Sequence, residues 1–200
     1  GSLANNFLTF SYFILIFSQN LAISLQNETF VARKQFNEYL EVLDKLSLKC
    51  VEISDGSLIM DHDEKCAYIS TFAKRGFTVL SEVGSKDAAK IIAPYKWINL
   101  MQKELSAGAW KVIAEAREGG NVGIFRGSGE VRSGLIEEIL TKIPGESILW
   151  EAPQKSQQVW FVKLLGQNVN LGNIAPNEAI PLETVRIGLR ADTFDLHLNN

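Results

Sequence analysis

Residues 148–174 read ILWEAPQKSQQVWFVKLLGQNVNLGNI. The apolar run Ile148-Leu149-Trp150 stops abruptly at Glu151-Ala152-Pro153-Gln154-Lys155. SQQVWFVKLLG then follows with helical periodicity and a closing glycine, and NVNL reads as a second short strand. A core strand needs neither the sudden polar stop nor the asparagines Asn168, Asn170 and Asn173 that follow. A strand that delivers side chains into a polar pocket at its C-terminal end has a use for both. Pro153 suits the start of the helix, where its missing N–H costs little.

The same unit recurs outward from this stretch. Upstream, Phe36, Tyr39, Leu40, Leu43 and Leu46 recur at helical spacing, and KCVEIS is a short buried strand. DEKCAYISTFAKRG is a helix with Asp61 or Asp63 near its start and Gly76 as its stop. FTVLSEV is a strand, YKWINLMQKELSAG a helix, WKVIAEA a strand and SGLIEEILTKI a helix that leads into SILWEA. Downstream of NVNL, PLETVRIGLR is a final helix. Five strand–helix units with no adjacent strand pair predict an α/β fold with a parallel sheet, either doubly wound or part of a barrel. No GxGxxG follows the first strand and no GxxxxGK[ST] occurs, so neither dinucleotide nor P-loop chemistry has support. Gly127 and Gly129 in GSGEVRSG lack an immediately preceding strand, and Glu118-Gly119-Gly120-Asn121 reads as an active-site loop with a turn.

Polar residues cluster after each strand: Glu52, Ser54 and Asp55; Glu82, Ser85 and Lys86; Glu115, Arg117 and Glu118; Glu151, Gln154 and Lys155; Asn168 and Asn170. A parallel sheet brings all its strand C-termini to one end, where such folds bind ligands. The 200 residues suffice for one domain, and a net charge of −3 with scattered basic residues leaves no footprint for nucleic acid. Cys50 and Cys66 lack ligand spacing and read as buried free thiols, in keeping with a reducing, cytoplasmic compartment. His62 and His197 have no metal-ligand company and read as surface or capping residues. The apolar run Phe7–Phe17 is too short to span a bilayer and has no basic residue before it, so membrane association is not expected. It reads as a buried strand or helix, a signal-like remnant, or sequence foreign to the domain that follows; the last is the favoured expectation.

VEISDGS, GFTVLSEVGSK, VIAEAREGG, EAPQKSQQ, NVNLGNI and PLETVRIGLRADTF together resemble the phosphosulfolactate synthase family over roughly residues 26–196. The resemblance implies a (β/α)8 TIM-type barrel and a magnesium-dependent addition of sulfite to phosphoenolpyruvate, giving phosphosulfolactate, which feeds coenzyme M synthesis in methanogens. A plant heat-stress-associated family also resembles these synthases, so a non-catalytic homologue or an inactive truncated form is the alternative. The family's DKG, KFGWGT and PGGT segments are not found before Gln26, and residues 1–25 look unrelated. The expectation is therefore a partial barrel of about the last five β/α units on residues 26–200, with an atypical N-terminal segment. Five units alone leave open edges, which pairing into a homo-oligomer could cover. Ala191 replaces a glycine usual in the family, a strain if that position needs φ > 0.

The implied chemistry assigns the residues. Sulfite addition places negative charge beside the substrate carboxylate, which magnesium would stabilise before an acid protonates carbon. Lys86 is the expected acid and matches the lysine the family is thought to use; a salt bridge to Glu82 is the plain alternative. Glu82, Glu115 and Glu151 end three successive strands and are the expected Mg2+ ligands, unless they simply pair with Lys86, Arg117 or Lys155. Arg117, Gln154, Lys155, Asn168, Asn170, Asn173, Arg186 and Arg190 are the expected substrate contacts. Arg186 and Arg190 lie four apart on the final helix, hence on one face. A solvent-facing Arg186 and a buried asparagine network are the alternatives there.

Overall fold

The structure, a computed structural model, describes residues 12–16, 21–26, 36–55, 60–87 and 89–197. Among them seven strands close into a barrel in chain order. These are β1 (Tyr12–Ile16), β2 (Leu21–Gln26), β3 (Cys50–Ile53), β4 (Thr78–Val83), β5 (Lys111–Ala114), β6 (Ile148–Glu151) and β7 (Leu171–Gly172). Helices α1 (Phe36–Lys45), α2 (His62–Lys74), α3 (Pro94–Ala107), α4 (Ser133–Leu140), α5 (Lys155–Leu165) and α6 (Ala179–Arg186) lie between and after them.

The five strand–helix units expected from Cys50 onward are present, and each neighbouring pair from β2 to β7 is parallel. Closure comes from within the apolar N-terminal run, for which the favoured expectation is sequence foreign to the domain. β1 runs antiparallel to β2 on one side and to β7 on the other, so this one strand occupies the gap between the first and last parallel strands. β1 falls inside the apolar Phe7–Phe17 run, so part of that run is a strand; its two ends lie outside the described residues. β1 bridges both edges, through five residue pairs to β2 and through Ile16–Leu171 to β7, so the barrel closes within one chain. No helix among the described residues is long and apolar enough to cross a membrane.

Alternation along each strand separates two packing surfaces. Val51, Ile53 and Val79 face outward onto Tyr39, Leu43, Ile69 and Phe72 of α1 and α2. Val112, Ala114, Ile148 and Trp150 face outward into the larger core with Trp97, Met101, Ile136 and Phe161. Trp150 stacks on Phe161, ring centroids 5.0 Å apart. The opposite parity faces the lumen, where Leu80, Ile113 and Leu149 form a separate buried plug with Cys50 against it. Two residues further along each strand, the same parity delivers Glu52, Glu82, Glu115 and Glu151 above that plug.

Local signals set the helix limits. Asp61 caps α2 by accepting the N–H of Asp63 at 2.9 Å, and Gly76, at φ 83°, lets the chain turn into β4. Pro94 opens α3. α5 starts two residues later than Pro153 would place it, because Gln154 and Gln157 form a reciprocal capping box. Three expectations shift. The NVNL strand shrinks to Leu171–Gly172, with Asn168 in the turn before it. α6 ends at Arg186, so Arg190 is not on that helix and shares no face with Arg186. Ala191 is not in the left-handed region, which among non-glycine residues holds Ser47, Arg117 and Asn173, so alanine costs nothing there. Both thiols are free, as read, but half-buried rather than fully buried.

The lumen plug is the floor on which the glutamates stand. Leu149→Ala is expected to cost about 2–5 kcal/mol in urea unfolding, because the rigid strands around it cannot collapse into the space left. A loss below about 1 kcal/mol would show that the plug is loosely packed.

Candidate functional site

β4, β5 and β6 are adjacent and parallel, and each carries an apolar residue, an outward residue and then a glutamate at its end: Leu80-Ser81-Glu82, Ile113-Ala114-Glu115 and Leu149-Trp150-Glu151. The register therefore stacks three carboxylates directly over the plug. One oxygen from each lies within 4.8 Å of those of the other two, and all three residues are buried. Three carboxylates at such range would repel strongly in a low-dielectric lumen. Burial, then the charges of Glu82 and Glu151, hold the Glu115 carboxyl well above the usual carboxylate range. Burial and Glu82 push Glu151 the same way, against the N–H of Ala116.

The neighbouring groups satisfy some of the oxygens, and one buried oxygen has no donor among the described residues. Ser54 Oγ donates to Glu82 Oε1 at 2.8 Å. The main-chain N–H groups of Ala116 and Arg117 donate to Glu151 Oε2 at 2.6 and 3.1 Å, and Arg117 N–H also donates to Glu115 Oε1 at 2.6 Å. Arg117 makes these contacts from φ 58°, an uncommon conformation for a side chain of its size. Glu115 Oε2 is buried and finds no hydrogen-bond donor among the described residues. An acceptor-only cluster with an orphaned oxygen fits a hard divalent cation, which prefers oxygen donors and keeps part of its water shell. The triad can hold a metal ion on this geometry.

Glu115 is also the residue most tightly seated. A Cβ on Gly84 would come within 2.3 Å of Glu115 Cβ. At Gly123, φ +61°, a Cβ would come within 1.9 Å of the Glu115 carbonyl oxygen. The loop that follows β5 is tied down from α5. Gln154 Nε2 donates to Gly119 O at 2.8 Å, and Gln157 Nε2 donates to the carbonyls of Gly120 and Gly129 at 2.8 and 3.1 Å. The glycine turn at residues 118–121 is thus a wall of the site, and Gln154 and Gln157 are its fasteners.

Lys86 lies just past β4 with Nζ 3.6 Å from Glu82 Oε1, half-buried at the rim. Arg117 crosses to that loop, its guanidinium donating to the Lys86 carbonyl at 3.1 Å. Asn173, at φ 57°, directly follows β7 beside Glu151, whose register partner is Gly172. Glu82, Glu115, Glu151, Lys86, Arg117 and Asn173 therefore meet at one end of the barrel.

The other expected contacts go elsewhere. Asn170 does face the lumen, but at the opposite mouth, where its Nδ2 donates to the carbonyls of Glu146 and Ile148 before and at the start of β6. Asn168 is exposed in the turn that enters β7. Arg186 is buried with its Nε on Gln167 O at 2.7 Å, in that same turn, and pairs with Glu183. Arg190 is exposed and donates to Thr184 Oγ1 at 2.8 Å. Lys155 is half-exposed and paired with Asp192 at 2.6 Å. None of these contacts reaches the carboxylate cluster.

Sequence reading missed a polar cluster beside the triad. Lys65, 1 % exposed, places Nζ 2.9 Å from Asp55 Oδ1 and 3.0 Å from Glu104 Oε1, and donates to the main-chain oxygen of Glu82. Burial alone would lower the Lys65 ammonium, but Glu104 and Asp55 more than offset it and keep it charged. His62 Nε2 reaches Glu104 Oε1 at 3.1 Å, so His62 bridges two helices instead of lying free at the surface. A signal was present: Lys65, Ile69 and Phe72 follow one helical stripe, as do Trp97, Met101 and Glu104. Each stripe is apolar except for one charge, and the two charges have opposite sign.

Residues 18–192 match the family model described as (2R)-phospho-3-sulfolactate synthase (ComA). The phosphosulfolactate synthase of Methanothermobacter thermautotrophicus is 43% identical over 160 residues, covering 78% of this chain and 62% of that protein. That of Bacillus subtilis is 44% identical over 172 residues, 84% of this chain and 68% of the relative. That of Methanocaldococcus jannaschii is 42% identical over 166 residues, 82% and 66% respectively. The chain thus spans roughly two thirds of the length of the curated relatives it matches. The matched region includes β2 to β7 and all three glutamates, and the chain belongs to the (2R)-phospho-3-sulfolactate synthase family.

Proposed function

We propose that the carboxylate end of this barrel adds sulfite to phosphoenolpyruvate, with Mg2+ on Glu82, Glu115 and Glu151. The observation that carries the reading is the convergence of three buried carboxylates with an ammonium at their edge, Lys86 to Glu82 3.6 Å. The relatives are named phosphosulfolactate synthases, which supports the product; sulfite, phosphoenolpyruvate and Mg2+ come from the family resemblance.

In that reaction the sulfur lone pair of sulfite forms a bond to the methylene carbon, and the double-bond pair moves to the neighbouring carbon and into its carboxylate. Glu82, Glu115 and Glu151 would hold the magnesium ion, which when bound would supply positive charge beside that carboxylate. Lys86 gives a proton from Nζ to the same carbon, which completes the addition without an oxidant, reductant or leaving group. Glu82 Oε1, 3.6 Å from that Nζ, holds the ammonium at the edge of the carboxylate cluster. The guanidinium of Arg117, fixed on the Lys86 loop, and Asn173 at the end of β7 are the groups for the anionic phosphate and sulfonate. The Gln154 and Gln157 amides keep the 118–130 loop over the pocket and limit access of water.

The direct test is product formation from phosphoenolpyruvate, sulfite and Mg2+ by the purified chain. Lys86→Ala is expected to lower kcat by about 10²-fold or more while leaving the Mg2+-dependent rise in melting temperature intact. A folded, monodisperse sample without turnover would remove the activity from this chain.

Glu115→Gln separates the metal from the chemistry. It is expected to raise the melting temperature of the metal-free protein at neutral pH, because the Glu115 carboxyl must take up a proton to fold beside Glu82 and Glu151 whereas glutamine is neutral in both states, and to abolish the increase that Mg2+ produces. A lower metal-free melting temperature would show that the three carboxylates do not oppose one another.

A further inference from the structure

We infer that Lys65 is a positioning residue for the carboxylate cluster, acting through the main chain of Glu82 and resting on the metal-site reading above. The pairing of β3 with β4 ends at Ile53 and Ser81. Glu82 is the next residue, so its carbonyl has passed the end of the β3 ladder just where its side chain must be held. The Lys65 ammonium supplies the donor that the ladder no longer provides. The same Nζ holds Asp55, the residue after Ser54, and Ser54 Oγ in turn holds the Glu82 carboxylate at 2.8 Å. Lys65 thereby fixes Glu82 twice, directly at its carbonyl and indirectly at its side chain.

Glu104 anchors the lysine from the other side. It is 1 % exposed on α3, and its Oε1 lies 3.0 Å from Lys65 Nζ. α2 carries the lysine, α3 the anchor, and β4 receives the contact, so the placement of one ligand depends on how two helices pack behind the barrel. Groups that hold a metal ligand in place commonly change metal affinity by about 10–100-fold when removed. A plain structural ion pair would change only stability.

The test measures Mn2+ affinity by the electron paramagnetic resonance signal of free Mn2+, together with melting temperature. Lys65→Met/Glu104→Leu removes both buried charges and so avoids leaving one unpaired. It is expected to retain a cooperative melt and bind Mn2+ at least about 10-fold more weakly than the unmodified chain. Lys65→Arg keeps the charge, and with it the fold, but moves the donor off the Glu82 carbonyl; it is expected to weaken binding several-fold. Unchanged Mn2+ affinity in either folded variant would overturn the inference while leaving the metal site standing. Absence of Mn2+ binding by the unmodified chain would instead overturn the metal reading, and the positioning role with it.

Discussion

Three carboxylates crowded at the mouth of a closed barrel set the terms for everything around them. Glu82, Glu115 and Glu151 are buried where water cannot screen them, with their oxygens within 4.8 Å. Such a cluster is unfavourable to folding, and the protein contains it with donors: the Ala116 and Arg117 N–H groups, the Ser54 hydroxyl and the Lys86 ammonium. What remains unsatisfied, Glu115 Oε2, is the part a cation would take. Proteins accept instability of this kind at functional sites, where the same feature serves binding.

The scaffold makes the cluster possible through parity. In each of β4, β5 and β6 the lumen receives an apolar residue and then a glutamate, so one register produces both a dry floor and a charged ceiling. The floor of Leu80, Ile113 and Leu149 separates that ceiling from the other mouth, where Asn170 donates to the Glu146 carbonyl. The strands need a complete ring to hold that geometry. Here an antiparallel strand, Tyr12–Ile16, stands between the first and last parallel strands and completes it.

Much of this was legible in the sequence. The repeated apolar-x-Glu at the ends of consecutive strands marks both the parity and the site, and glycines such as Gly76 mark the turns. What was not legible follows from distance along the chain. Nothing local tells a reader that the Tyr12–Ile16 segment pairs with Leu171, because strand pairing at that separation leaves no pattern in either segment. Asn170 and Glu151 look alike as polar residues near strands; only the position of the strand, starting at Leu171, places the asparagine at the wrong mouth. Arg186 carries a charge on an amphipathic helix and reads as a ligand residue, yet its Nε is spent on Gln167 O. Lys65 and Glu104 draw no attention in the sequence for a different reason, since each charge on its own suggests solvent and only their facing stripes show that they meet.

The measurement that bears most directly on this account is an anomalous difference map from crystals of the chain soaked in Mn2+. The account predicts one strong peak bounded by carboxylate oxygens of Glu82, Glu115 and Glu151, with its remaining ligands from water. A well-diffracting soaked crystal with no peak there, or with these three carboxylates turned apart, would contradict it.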